Sequence, residues 1–234
     1  VYLTILTDPL TVNIIQAENG GVKRMSHSTA LSGEFQREGK GSPKEYDSVY
    51  GIPSSGLHSN GYSLVNTVFG LEGKREEIKQ KLSTYYEELG CTLQEELLRP
   101  TRIYVKTVQD LRARYRVHAL VHITGGGFVD NPPRVMPDGF AMQINLDSWG
   151  IPQIFYLIKK LGKVRGNEML RTFNLGIGML VVSPDCIEGE GIVKVGKVVD
   201  CKRANHSSSA TLFTGGQKFM TYPWGADWNH LWEA

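Results

Sequence analysis

The sequence predicts an α/β (α+β) fold, a mixed sheet with helices packed on one face. Three observations carry that reading. Apolar, β-rich runs recur through the second half of the chain: "VHALVHI", "FAMQINL", "LGIGMLVVS" and "GIVKVGKVV". Stretches with helical spacing alternate with them, of which "SWGIPQIFYLIKKLG" is the plainest. The composition, 41% apolar and 21% charged over 234 residues, is that of an ordinary globular protein long enough to bury a core without staples.

Taken in order, the opening "VYLTILTDPLTVNII" is apolar but broken by Asp8 and Pro9 and lacks a basic leader, so it reads as strands rather than as a secretory signal. Residues 20–50 mix glycine, serine and charges with little period and read as a loop-rich connector. From Gly51 a short apolar segment leads into a loop of small polar residues. "YSLVNTVF" then starts a helix for which Asn60 or Ser59 is a candidate cap. "KREEIKQKLSTYYEELG" places Ile78, Leu82, Tyr85, Tyr86 and Leu89 on one face and predicts a single amphipathic helix ending at Gly90. "TLQEELL" predicts a short helix halted before Pro100, and "RIYVKTVQDLRARY" a further one. "NEMLRTF" adds another short helix before the last strands. No internal repeat is visible. The tail changes character: Trp224, Trp228 and Trp232 recur every four residues, a stripe that reads as core or docking surface.

Charge and cysteine usage exclude several functions. The net charge is +2, with no block of Lys or Arg, so neither nucleic acid nor a membrane surface is an expected partner. No apolar run approaches the roughly 20 residues that span a bilayer. Cys91, Cys186 and Cys201 are odd in number and far apart, which fits neither a disulfide framework nor a zinc knuckle and points to a reducing cytoplasm. Asn205-His206-Ser207 matches a glycosylation sequon and reads as a coincidence, since the opening does not read as a secretory signal.

Two glycine-rich loops and one basic turn are the candidates for chemistry. "GIPSSGLHSNGYSLV", residues 51–65, holds three glycines, four serines and His58. It is either a slack turn or a built loop whose backbone approaches a ligand, with His58 as an acid/base or a hydrogen-bond donor. "HITGGG" puts Thr124, Gly125, Gly126 and Gly127 after a strand, where glycine lets backbone N–H groups converge on an anion; a tight structural turn is the equal alternative. Asn131 and Arg134 follow closely, and a guanidinium is a natural phosphate partner. "RPTRIYV" gives Thr101 and Arg102 after a proline at an expected helix N-terminus. No paired acidic site and no Walker lysine motif is present, so no metal site is expected.

"PSSGLHSNGYSLV", "LLRPTRIYVK", "HITGGGFVDNPPRVMP" and "MLRTFNLGIGMLVV", in that order, resemble the C-terminal domain of phosphoribosylformylglycinamidine cyclo-ligase, also called aminoimidazole ribonucleotide synthetase. The resemblance covers about residues 51–200. It implies a sheet-and-helix domain of that family and a step of de novo purine synthesis. In that step ATP, with Mg, phosphorylates the formyl oxygen of formylglycinamidine ribonucleotide, a ring nitrogen closes the imidazole, and ADP and phosphate leave. It further implies that the loops from Ser54 to Gly61 and from Thr124 to Gly127 line a cleft facing an N-terminal domain. His58 is then nearest the chemistry, and Ser55, Ser59, Asn60, Gly61, Thr101, Arg102, Asn131 and Arg134 stand with the loop glycines as substrate or phosphate contacts. Residues 1–50 do not carry the family's "DGVGTK"-type and "GGETAEMPG" wording. Only "DCIE" stands where a helix usually follows "VVSP", and residues 201–234 match nothing in the family. The expected division is therefore 1–50 strands and connector, 51–200 synthetase-like domain, and 201–234 Trp-rich tail. The expected partners are a ribonucleotide and either an N-terminal nucleotide-binding domain or a second copy. The alternative is a non-catalytic phosphate-binding or interaction module that keeps the fold without the nucleotide-binding half.

Overall fold

The computed structural model describes residues 42–137, 139–189 and 191–200, together with the backbone of strands β1 (Leu3–Asp8), β2 (Thr11–Glu18), β3 (Gly21–Met25) and β11 (Ala210–Thr214). The tryptophan stripe, Cys201 and the sequon lie outside the described residues. β1, β2 and β3 pair antiparallel in a sheet of their own.

The principal sheet has six strands in the order β11, β8 (Phe140–Asn145), β10 (Val193–Asp200), β4 (Ser48–Pro53), β9 (Ile177–Ser183), β7 (Ala119–His122). Each neighbouring pair is antiparallel. β9, the run "IGMLVVS", is buried at every position, which its near-continuous apolar sequence requires of a strand covered on both faces. Its side chains divide accordingly: Leu180 and Val182 enter the larger core cluster, Met179 and Val181 the smaller.

The larger cluster lies under helices α1 (Tyr62–Phe69), α6 (Gln153–Gly162) and α7 (Gly166–Thr172), which bury Val65 and Phe69, Ile154, Phe155, Leu157 and Ile158, and Met169 and Leu170. The smaller cluster is closed by α4 (Val105–Arg114), whose Val108 and Leu111 join Tyr50, Ile52 and Tyr104. The expected sheet with packed helices is found, with one helix more on its second face. β4 and β9 are apolar on both sides, and α4 covers the second.

The long amphipathic helix is corrected. α2 ends at Leu82 (Arg75–Leu82) and has no fully buried residue. Ser83 Oγ and Thr84 Oγ1 donate back to the carbonyls of Lys79 and Gln80, the local bonding that weakens a helix interior. The chain then turns at Gly90, φ 65°, so that β5 (Tyr85–Tyr86) pairs with β6 (Cys91–Thr92). Leu82, Tyr86 and Leu89 still pack on the larger core, so the apolar spacing reported burial correctly and shape wrongly. α3 (Leu93–Leu97) opens on a capping box, Thr92 with Glu95. α5 is the single turn Gly127–Asp130.

Candidate functional site

β4 and β7 end, and β9 begins, at one edge of the sheet, and both glycine-rich loops leave from that edge. They meet there: a Cβ on Gly125 would lie 3.8 Å from Asn60 Oδ1.

The first loop is built rather than slack. Ser54 N–H donates to Gly176 O at 2.8 Å. Asn174, 1% exposed, then uses its whole amide on the loop: Nδ2 donates to Gly56 O at 2.9 Å, while Oδ1 accepts from Ser54 Oγ at 3.0 Å and from Gly176 N at 2.9 Å. Ser55 Oγ donates to Pro100 O at 2.6 Å, and Ser59 Oγ lies 3.5 Å from Thr101 Oγ1. The loop is thereby tied to the turn 98–104. Neither Ser59 nor Asn60 caps α1: the cap is Gly61, φ 76°, with no side-chain bond, because Ser59 faces Thr101 and Asn60 faces Gly125. Thr101 and Arg102 likewise do not sit at a helix N-terminus, since α4 begins only at Val105, behind Tyr104.

The second loop is organised by Asn131, 3% exposed. Its Nδ2 donates to Gly127 O at 2.7 Å and, more weakly, to Gly125 O and Thr124 O, and its Oδ1 accepts from Thr124 Oγ1 at 3.2 Å. The amide is thus committed to holding the loop. The three glycines differ in what they need. A Cβ on Gly127 would collide with Leu170 O, and one on Gly126, φ 99°, would lie 2.7 Å from Asp130 Cβ, so the fold itself accounts for both. Gly125 is exposed, and a Cβ there would meet only Asn60 Oδ1, so the fold alone does not account for this glycine. Arg134 lies exposed on the 3-10 turn Pro132–Val135, its backbone N–H donating to Asn131 O.

Beneath the first loop His58, Arg102, Tyr104 and His122 form a cluster over Gly178. The His58 and Tyr104 ring centroids are 6.0 Å apart, those of Tyr104 and His122 5.8 Å, and Arg102 Cζ is 5.7 Å from the Tyr104 ring. Arg102 Nη1 and Tyr104 Oη both donate to Pro53 O, at 3.1 and 3.0 Å. A side chain at position 178 would collide with Tyr104 Oη and the His58 ring, so this glycine admits the cluster onto β9. Burial, with the nearby His122 and Arg102, lowers the His58 pKa to about 4, so the ring is neutral at pH 7. Burial also raises the Tyr104 hydroxyl well above its ordinary value.

Behind the loop, Glu96 is a buried acid whose pKa burial raises; Arg99 Nη2, 2.9 Å away, opposes that shift. At the opposite end of the sheet Asp47 and His118 form a buried pair at 2.7 Å, beside the Arg116–Asp185 ion pair. These latch β4, β7 and β9 at that end.

The sequence reading singled out neither Asn174 nor His122 nor Tyr104 as site residues. Two signals were available: an asparagine within the apolar run "TFNLGIGMLVV", and His118, Leu120 and His122 alternating on "VHALVHI". The loops offer hydroxyls, amides, an imidazole and a guanidinium, which suit an acceptor-rich, anionic ligand. They do not fit magnesium, which takes oxygen ligands and carboxylates above all. Among the described residues no group of three or more His, Cys, Asp or Glu is placed to hold a metal ion. Among the same residues no helix is long and apolar enough to cross a membrane.

A protein-family model described as "AIR synthase related protein, C-terminal domain" matches residues 44–205. The chain belongs to this family. Curated relatives agree. The phosphoribosylformylglycinamidine cyclo-ligase of Caldicellulosiruptor saccharolyticus is 51% identical over 146 residues, covering 62% of this chain and 42% of that protein. The enzyme of the same name from Caldicellulosiruptor bescii is 45% identical over 169 residues, covering 72% and 47%. That from Pseudothermotoga lettingae is 49% identical over 146 residues, covering 62% and 41%. The chain thus spans less than half the length of these relatives. A crystal structure of thiamine monophosphate kinase from Aquifex aeolicus aligns with 69% of this chain and 50% of its own at 18% identity, with a TM-score of 0.42.

Proposed function

We propose that this chain is the substrate-facing part of a cytoplasmic, ATP-dependent cyclo-ligase of purine biosynthesis, which closes the ring of phosphoribosylformylglycinamidine to give aminoimidazole ribonucleotide. The observation that carries the reading is the meeting of the two loops at one sheet edge, Asn60 against Gly125, with hydroxyls, an imidazole and Arg102 around them. Ser55, Ser59, Asn60, Gly61, Thr101, Thr124 and Gly125 form the wall on which the ribonucleotide lies. Gly126, Gly127 and Asn131 shape that wall, and Arg134 offers a charge at its margin. The relatives' names supply the substrate and the reaction class. ATP and Mg bind on a nucleotide-binding half supplied by another chain or domain, because the donor set here lacks the carboxylates that neutralise a magnesium-bound γ-phosphate. That same lack favours the second reading, a ligand-binding module without turnover, for the chain by itself.

The wall is tested by calorimetric titration of phosphoribosylformylglycinamidine into the full chain. Gly125→Val adds a Cβ that meets only Asn60 Oδ1, at an ordinary contact distance, and should leave the urea midpoint unchanged while weakening binding tenfold or more, on the order of 1.4 kcal/mol. Gly126→Val makes a poor probe, because φ 99° and Asp130 strain the fold first. Unchanged affinity in Gly125→Val would remove the second loop from the site.

A further inference from the structure

We propose that His58 serves as a hydrogen-bond donor of fixed tautomer, presenting Nδ1–H beside the Arg102 guanidinium to an anionic oxygen of the ligand, and not as a proton shuttle. The inference rests on the proposed ligand-binding function and assigns the part its central side chain plays.

The tautomer follows from one bond. Ser55 N–H points at His58 Nε2 from 3.1 Å, and a backbone amide can only donate. Nε2 is therefore the acceptor, and in the neutral ring the proton stands on Nδ1. That Nδ1 is buried and has no hydrogen-bond partner, in a side chain only 6% exposed. A buried donor left unmade is costly, and where one persists in a built loop the missing acceptor is the question to ask.

The surroundings indicate what the acceptor is. The titratable and charged groups facing the ring are His122, from β7, and Arg102 and Tyr104, from the turn before α4. Tyr104 donates its proton to Pro53 O, and Arg102 brings a positive charge. A neutral N–H beside a fixed cation attracts an oxygen carrying negative charge, such as a phosphoryl oxygen or a carbonyl oxygen gaining charge during reaction. A shuttle needs a ring that takes up and releases a proton near neutrality, and the same burial and the same cation oppose protonation.

The backbone gives a clean variant. His58 has φ 58°, a region asparagine tolerates better than other side chains, so His58→Asn avoids the strain that His58→Ala adds. The asparagine Nδ2 also stands at the same bond distance from Cα as the histidine Nδ1, so it preserves a donor and removes the imidazole.

The experiment has two arms. In the first, long-range nitrogen–proton spectra of the labelled full chain are recorded from pH 5.5 to 8, with and without ribose 5-phosphate and inorganic phosphate. The expected result is a protonated Nδ1, an unprotonated Nε2, no titration in that range, and a displaced Nδ1–H signal with at least one probe. The displacement should be lost in Arg102→Ala. A response to ribose 5-phosphate alone identifies the phosphoribosyl group as the source of the oxygen; a response to inorganic phosphate identifies a free phosphoryl group. An Nε2–H tautomer, a midpoint near pH 6.5, or an Nδ1–H indifferent to both probes would overturn the proposal. In the second arm, with a relative's nucleotide-binding half added, His58→Asn should keep kcat within about tenfold of the parent while His58→Ala loses about 10²-fold or more, the cost of removing one donor to an oxygen that gains charge. Equal loss in both would overturn the donor role. Failure of the parent pair to turn over would count against the cyclo-ligase reading, and the spectra would still decide this one.

Discussion

Asn174 shows how a single buried amide sets the geometry of the candidate site. It joins the start of β9 to the loop after β4 through three hydrogen bonds, to Ser54, Gly56 and Gly176. Asn174→Leu keeps a similar volume but strands a buried carbonyl, N–H and hydroxyl. The expected cost is about 2–4 kcal/mol, read as a lower urea midpoint at an unchanged slope. A loss below about 0.5 kcal/mol would mean that water replaces the amide. His58 gives a second expectation at this scale. Its folded pKa, about 4, lies below the ordinary histidine value of 6.5, so the unfolded chain binds the extra proton between those values. The neutral ring therefore contributes stability that is fully present above pH 6.5 and is lost as pH falls toward 4, up to about 3 kcal/mol. Urea unfolding at pH 7.5 and pH 4.5 should show a larger pH-dependent loss in the parent chain than in His58→Asn. Equal losses would place the acid sensitivity elsewhere. Of these residues His58 was visible in the sequence because it breaks a run of small residues. Asn174 was quoted only as part of a motif, since one amide among apolar letters does not disclose how many bonds it makes.

Among the elements, α4 carries more than its length suggests. It closes the second face of the sheet, and the turn entering it holds Arg102 and Tyr104 over Gly178. Leu111→Ala, at a position 1% exposed, should cost about 2–5 kcal/mol and weaken ribonucleotide binding with it, because the cluster under the loop rests on the same packing. Calorimetry and urea unfolding of this variant should move together; full affinity in a destabilised but folded variant would detach α4 from the site. Periodicity located α1, α4, α6, β7, β8 and β9 because each buries one stripe or one run. It failed at residues 74–90, where helix and hairpin present the same apolar residues to the core and only the serine and threonine back-bonds distinguish them. It also failed to place α4 on the far face. A helical stripe records that a face is covered, while the side of the sheet it covers is set by chain connection.

At the scale of the whole molecule, the four motifs that carry the family resemblance converge on one edge of the antiparallel sheet. "PSSGLHSNGYSLV" and "HITGGG" form the two loops, "LLRPTRIYVK" is the turn bonded to the first, and "FNLGIG" supplies Asn174 and Gly178 beneath. The sequence therefore marked segments that the fold brings together, and the fold shows which side chains hold the loops. The wall they build is rich in donors, and the described residues offer no cluster for a metal, consistent with a chain that spans less than half the length of its relatives. The most direct test is a coupled assay of ADP release and aminoimidazole ribonucleotide formation from phosphoribosylformylglycinamidine, with the purified chain alone and with the nucleotide-binding half of a relative added. The account predicts no product above background from the chain alone and turnover in the mixture. Robust product formation without the added half, or a mixture that binds the ribonucleotide yet never closes its ring, would contradict it.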